Sequence, residues 1–537
     1  MSIRSVFVLI PVLAGSALAQ LSSFPKPSYF RETFSQVNTR VELKGPVGLK
    51  DFVLEGKLSL SLKSYLDLVM ANNTDIQIQL LSVEAPKNAI MRALSTWDPT
   101  ASASFSSTRS KAPSVTALAG ANTSESLSQP ANFSVSQVLP TGAQYTAGFS
   151  ASRNSSNSSY ALLNPNLNAG MSLQVSQPLL RNRGYFINHI NLVLAKSRFR
   201  MADYTLKSNL LQLVAAAENA YWDVIQAREN LHVAESARKL ADETLKLSQK
   251  ELELGALSPL DIYNPEQQLA TANLGVSQAE FSLAQTEYAL RRQIGADLDP
   301  AIRQLPIVLT ESVEAPVTGM EVDPEKEVEI ALHTRPDLKA ATQNLDVDDL
   351  SLHAAHNEIL PNLSITGSYQ SQGIGGIVNP YSNPIPGGLG DALSQMFGFG
   401  FPVYSFGLNL QLPLRNHAAV ADMADALIQK RRDTLNVRTT QQQIRLSILN
   451  AVSNLESSKK SLELARAAAD FASKYLDAEN QKYTLGIDQM QFVLQAQNTL
   501  TQAQSQVVQA QVGLRRNLLN LYTQTGELLD QRGIVVQ

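Results

Sequence analysis

At 537 residues the chain has the length of several ordinary domains, and a formal charge of −4 with 17% charged residues gives no basic surface for nucleic acid. It contains no Cys, which excludes disulfides, thiolate metal sites, thiol catalysis and a lipid-modified N-terminal Cys.

Arg4 precedes the apolar run "VFVLIPVLAG", and "ALA" at 17–19 has the small-x-small form of a cleavage site. Residues 1–19 are therefore expected to be a removed signal peptide, because the run falls short of the roughly 20 apolar residues that cross a bilayer. No comparable stretch follows, so no transmembrane helix is expected. Residues 20–57 are a less regular, Pro-containing N-terminal segment.

A helical pattern over 60–94 leads into Pro99. Residues 97–178 are rich in Ser, Thr and Gly and alternate with period two. Phe133, Val135 and Leu139 share one face, as do Tyr145, Ala147 and Phe149, while Ser, Thr, Asn and Gln occupy the other. Such alternation fits a membrane β-barrel or a soluble sandwich, and the signal peptide favours the barrel. A long helical pattern covers 187–254, with Ala217, Tyr221, Val224, Leu231, Ala234, Ala237, Ala241, Leu245 and Leu252 at coiled-coil-like steps of three, four or seven. Gly255 ends it. Ser258 is placed to cap the next helix, with Pro259 in its first position, and that pattern covers 259–294.

After a linker at 297–323 the same order returns: a helix over 324–358, strands within 361–413, a long helix over 417–485, a break at Gly486, a helix over 490–525 and a tail at 531–537. Leu408, Leu410 and Leu412 share one face of the second strand region. An offset of 231 pairs Ala220, Leu231, Gly255 and Gly295 with Ala451, Leu462, Gly486 and Gly526. An offset of 262 pairs Leu66, Asp75 and Pro99 with Val328, Asp337 and Pro361, and one of 235 pairs Pro178 with Pro413. Two copies of one unit, 58–296 and 324–530, thus organise the chain, the first 27 residues longer between its prolines.

At ~1.5 Å per residue the long helices reach about 100 Å, and the two shorter helices of each unit, stacked end to end, match them. The fold class is mainly α with membrane β, built on two internal repeats. Each unit leaves and rejoins the helical side, so its strand count is even. A lone hairpin is marginal, so several chains must contribute strands to close a barrel. The second copy reads as two strands. In the first, "VLPTG" is either a tight turn adding a pair or an external excursion. "GIGGIVNP" at 373–380 reads as an extracellular loop.

In "LSLSLKSYLDLVMANNTDI", "VSQPLLRNRG", "AYWDVIQARENLHVAE", "LELGALSPLDIY", "RPDL…LPNL", "LPLRNHAAVADMADA" and "KYTLGIDQMQFVLQAQ", ordered and spaced over 58–530, the chain resembles the TolC-type outer-membrane efflux proteins. The resemblance implies a homotrimer with a long α-helical coiled-coil barrel as a periplasmic tunnel. Above it would stand a trimeric outer-membrane β-barrel of twelve strands in contact with lipid. It also implies work with a periplasmic adaptor (membrane fusion) protein and an inner-membrane transporter. Residues 20–57 and 297–323 become a belt around the middle of the tunnel. The "VLPTG" segment departs from the family count: as a membrane hairpin it would make eighteen strands in the trimer.

The two breaks would form the far tip of the tunnel. Leu254, Gly255, Ala256, Leu257 and Ser258 in the first, and Leu485, Gly486 and Ile487 in the second, leave apolar groups there without a core to join. By resemblance they meet the adaptor, the glycines allowing close backbone approach. The family also closes this mouth with side chains. Asp261 matches its first-copy acidic position and Tyr483 the Tyr before the second turn, which implies a Tyr–Asp hydrogen bond. Asp488, expected to cap the last helix in a capping box with Gln491, stands where the family has a basic residue. Phe492 and Gln495 stand where it has an acidic ring, which leaves Phe492 to gate by bulk and dewetting.

"HAAHNE" (His353, His356, Glu358) puts two His three apart on one helix, but no Cys or other His lies nearby in sequence, so no metal is expected. There is no Walker A run and no G-x-S-x-G elbow, hence no cofactor and no catalysis. Three functions remain. The first is an exit duct for small toxic molecules, the second an exit duct for polypeptides, and the third a non-conducting exported coiled-coil scaffold. The alternating strands and the "QPLL" and "LPLR" junctions favour a pore over a scaffold.

Overall fold

After a 3-10 turn at Leu49–Phe52 the chain forms β1 (Val53–Leu54) and β2 (Lys57–Leu60), followed by α1 (Leu62–Asn72), α2 (Thr74–Leu81) and α3 (Glu84–Leu94). This is a computed structural model, and it describes residues 46–114, 122–158, 161–255, 257–313, 322–378 and 387–534, all within the compact unit that starts at Pro46. The expected signal peptide and residues 20–45 lie outside the described residues. The single helix expected over 60–94 is three: Asn73 turns extended and its Oδ1 accepts from Asp75 N (2.9 Å) and Ile76 N (3.1 Å), starting α2, and a second break at Ser82 and Val83 separates α2 from α3.

Strands β3 (Thr100–Phe105), β4 (Thr108–Pro113), β5 (Thr123–Val138), β6 (Gln144–Ser156) and β7 (Leu163–Pro178) lead to α4 (Tyr185–Glu253), which at 69 residues spans about 100 Å. Next come α5 (Tyr263–Gln293), β8 (Ile307–Leu309), α6 (Pro324–Thr334) and α7 (Pro336–Ile359). The helix expected over 324–358 is thus split at Arg335, since Pro336 disfavours helical backbone at the residue before it. The rest is β9 (Asn362–Val378), α8 (Leu389–Phe397), β10 (Phe401–Gln411), α9 (His417–Thr484), α10 (Met490–Thr525) and α11 (Leu528–Gln531). Two further corrections fall here. Residues 373–378 of "GIGGIVNP" continue β9 instead of forming a loop, and the α8 helix interrupts the expected strand region. Residues 379–380 lie outside the described residues.

The large sheet is antiparallel in the order β10-β9-β7-β6-β5-β3, with β4 also pairing β5. Since β3 and β4 meet β5 in succession, the sheet has six ladder positions, and β10 and β3/β4 are its edges. "VLPTG" is the tight turn between β5 and β6, closed by Gly142 N to Leu139 O (2.8 Å) with Gly142 at φ 86°. Cross-strand partners point to the same face. One face therefore carries Phe105, Phe133, Phe149, Met171, Leu173, Val175, Tyr404, Phe406 and Leu408. On the other, hydroxyl pairs link Thr100 to Ser136 (2.9 Å), Ser102 to Ser134 (2.8 Å) and Ser368 to Ser405 (2.7 Å).

Short helices meet end to end beside the long ones. Asn73 Nδ2 donates to Gln293 O (3.2 Å) and Oε1 (2.7 Å), joining the start of α2 to the end of α5. Arg335 Nη1 donates to Gln524 O (3.2 Å) and Oε1 (3.1 Å), joining the start of α7 to the end of α10. The main core lies at mid-helix. Tyr65 and Tyr221 are fully buried with ring centroids 5.4 Å apart, Tyr221 O–H donates to Leu60 O (3.2 Å), and β2 pairs in parallel with β8. Arg228 of α4 donates to Ile307 O (3.1 Å), so residues 307–309 lie against the middle of α4. No described helix is long and apolar enough to cross a membrane.

Candidate functional site: the helical tips

The sheet leads directly into the start of α4, so the two helix-to-helix turns lie at the opposite end of that helix, about 100 Å away. In the second turn, Gly486 takes φ 69°, its N–H reaches Tyr483 O (2.9 Å) and Ile487 N reaches Lys482 O (2.9 Å). These two bonds make a complete Schellman ending. In the first, Gly255 takes φ 76° and donates to Leu252 O (3.0 Å), and Leu257 N donates to Glu251 O (3.2 Å). Open space surrounds the position of a Cβ at both glycines, so within the chain the requirement is for backbone conformation alone.

The starts of the following helices differ from expectation. Ser258 accepts from Leu260 N (3.3 Å) and shapes a turn over 259–262, while α5 begins only at Tyr263 without a side-chain cap. Asp488 accepts from Gln489 N (3.0 Å), and Gln489 is the N-cap of α10, again without a side-chain bond, so no capping box with Gln491 forms. In both cases the polar side chain bonds within its own turn, which competes with capping.

The turns expose large apolar groups: Leu254 is 83%, Leu485 73% and Ile487 72% exposed. Leu257 is half-buried, and Ala256 lies outside the described residues. Above the tips, Met490, Val493, Leu494 and Ala496 of α10 pack on Leu476 of α9, with Leu240 of α4 against them. Phe492 and Gln495 are exposed on the other side of α10.

Tyr483 does not bond Asp261 within the chain. Its O–H donates to the Glu251 carboxylate, tying the end of α9 to the end of α4, while Asp261 is exposed. Burial, with the bond to Glu251 added, pushes the Tyr483 hydroxyl pKa up and keeps it a donor. Gln497 Nε2 donates to Thr244 Oγ1 (2.8 Å), and the Gln268 and Asn498 amides exchange bonds at 2.7 and 3.3 Å. Lys482 bonds Glu479 (2.6 Å) and stands 4.0 Å from Asp488, the carboxylates holding its ammonium above the ordinary lysine range. Among the described residues no cluster of His, Asp and Glu could hold a metal.

Residues 328–527 match the outer membrane efflux protein family. The chain is 23% identical over 336 residues to the probable efflux pump outer membrane protein TtgC of Pseudomonas putida, covering 62% of this chain and 64% of that protein. It is 23% identical over 412 residues to the outer membrane protein TolC of Vibrio cholerae, covering 74% of this chain and 88% of that protein. The chain's location is the outer membrane. The fold is that of the Campylobacter jejuni CmeC outer membrane channel, with a TM-score of 0.60 at 17% identity over 92% of this chain and 90% of that one. The CusC channel gives 0.61 at 15% identity over 91% and 95%. The chain spans just under two thirds, 64%, of the length of the Pseudomonas putida relative.

Glu251, Lys482 and Glu479 of these tips fall outside the residues singled out from the sequence. Glu251 opens "ELELG", four before Gly255, and Lys482 stands four before Gly486. A charged residue one helical turn above each break was the available signal.

Proposed function

We propose that the chain is the outer-membrane exit duct of a tripartite efflux system, passing small toxic molecules delivered by a periplasmic adaptor and an inner-membrane transporter. The single observation that carries this is a six-position sheet with one apolar face, one hydroxyl-lined face and two open edges, set at the far end of ~100 Å helices from exposed apolar tips. An open edge is unstable in lipid, where each backbone group needs a partner, so β10 of one copy pairs with β3 and β4 of the next. Three copies then close eighteen strands around a polar lumen, six from each. The matched end-to-end helix junctions at Asn73 and Arg335 support two copies of one unit in the helical part. The exposed Leu254, Leu485 and Ile487 are the groups on which an adaptor's helical hairpins would settle, and Tyr483 with Glu251 is the hydrogen bond that holds neighbouring tips together at the mouth.

The efflux assignment of the named relatives favours small molecules over polypeptides as cargo. The test is heat-modifiable migration of detergent-extracted protein together with single-channel recording in planar bilayers. A trimer with stepwise conductance is expected. A monomeric, water-soluble and non-conducting product removes the proposal and leaves an envelope scaffold.

A further inference from the structure

The nine-residue helix α8 lies on the apolar face of the sheet, not on the hydroxyl-lined one. Met396 accepts from Ser371 Oγ at its backbone oxygen (2.6 Å), and Gln395 Oε1 accepts from Ile374 N (3.1 Å). Its buried Ala392 and Met396 pack on Ala169, with Phe149 and Met171 beside them. Ser371, Met171, Phe149 and Phe133 form one cross-strand row, which is the apolar face.

The next row outward is Ala131, Ala151, Ala169 and Gly373, four small residues in succession across β5, β6, β7 and β9. A Cβ at Gly373 would collide with the Ala392 carbonyl, and one at Gly375 with that of Gly388. The wall is hollowed where the helix sits. A loop that merely drifted across the sheet would not need that relief.

Three arguments identify what covers the helix's free side. Leu389, Leu393 and Phe397 recur every four residues and form one edge of α8, with Leu389 48% and Phe397 61% exposed, while Asp391 and Ser394 lie on the other side. The position in height is the second. From Asn362 to Ser371, β9 climbs about 30 Å, or roughly 23 Å along the barrel axis at the usual strand tilt. Ser371 therefore stands near the outer limit of an apolar band about 25 Å tall. Exposed Phe399, whose ring lies 6.2 Å from that of Tyr369, adds aromatic surface at the same level. Third, α8 covers β9 and β7, which are interior positions of the sheet, so a seam between copies at β10 or β3 does not reach it.

We infer that α8 is an interfacial helix on the outside of the barrel, with Leu389, Leu393 and Phe397 in contact with outer-leaflet lipid at the boundary between acyl chains and headgroups. This rests on the membrane-barrel reading, and it adds a lipid-anchoring surface at the extracellular rim. An amphipathic helix placed there holds the rim at a fixed depth, because moving it inward would bury Asp391 in hydrocarbon and moving it outward would expose the Leu and Phe edge to water.

The absence of Cys makes the test clean. Single-Cys variants Phe397→Cys, Leu389→Cys, Phe133→Cys and Ser172→Cys are nitroxide-labelled in the full-length protein and reconstituted in vesicles of phosphatidylcholine with phosphatidylglycerol. Accessibility to oxygen, which partitions into lipid, is compared with that to a water-soluble nickel chelate. Oxygen is expected to dominate several-fold at 397, 389 and 133, and nickel at 172. Nickel dominating at 397 and 389 while oxygen dominates at 133 overturns the α8 inference and leaves the barrel standing. Nickel dominating at 133 as well overturns both. If one α8 variant fails to assemble, the other reads the same edge.

Discussion

In the first half of the chain a neutral amide, Asn73, joins two short helices end to end. In the second half the Arg335 guanidinium makes the matching junction and is itself held by Asp337 at 2.7 Å. The tips differ in the same sense. The second closes in a Schellman turn beside an ion pair, while the first is followed by a separate turn before α5. The two junctions thus join helix ends with different chemistry. At the helix junctions the second half relies on charge and the first on a neutral amide. A plan written as helix lengths and breaks constrains where groups meet, not which groups do so.

The largest expected contrast is at the junctions. Arg335→Ala should cost about 2–3 kcal/mol, since it removes charge-assisted bonds and leaves Asp337 unpaired, whereas Asn73→Ala should cost about 1–2 kcal/mol as a lost cap. Guanidinium chloride unfolding measures both, and equal costs would erase the contrast. The junctions should also part company with pH. Burial works to raise the Asp337 pKa, but Arg335 outweighs it and holds the carboxyl below its ordinary range. Stability from that pair is therefore complete above about pH 4 and declines as pH falls through the lowered folded value. Hydrogen exchange should register acid loosening at Thr525 before any at Gln293.

A smaller effect lies in the turns. Gly486→Ala and Gly255→Ala each force an L residue into left-handed backbone at about 1–2 kcal/mol. Both glycines have similar φ and open surroundings, so the two costs should be alike, as thermal unfolding of the assembled protein would reveal. The smallest expected effect is the tie between tips. A double-mutant cycle of Tyr483→Phe with Glu251→Gln should give about 1 kcal/mol of coupling, the size of a partly exposed charge-assisted bond. Pairing Tyr483→Phe with Asp261→Asn should give additivity. Coupling in the Asp261 cycle would mean that the bond runs between copies instead.

Much of the helical layout was legible. The long helix expected over 417–485 runs over His417–Thr484, and the one expected over 490–525 matches α10, because a Gly at each break and a persistent apolar stripe are local signals. The breaks at Asn73 and Arg335 were less visible because the apolar pattern continues through them, although the Pro after Arg335 was a usable stop sign. Short α8 was lost in a Gly- and Pro-rich stretch, too brief for its period to stand out. At the tips, the turns and their exposed Leu and Ile followed from the glycines. The partner of Tyr483 did not, because Glu251 and Asp261 are both acidic residues flanking the same break.

The sequence by itself determined the order of elements, the two breaks, the alternation of the strands and the duplicated spacing, since each is a pattern within a short window or a constant offset along the chain. Only the tertiary structure decided that "VLPTG" turns tightly to give six ladder positions, that Tyr483 reaches Glu251, and that α8 lies over a row of small residues on the apolar face. These depend on which strands and helices become neighbours. That outcome is fixed by packing between residues up to hundreds of positions apart, and no local pattern encodes it.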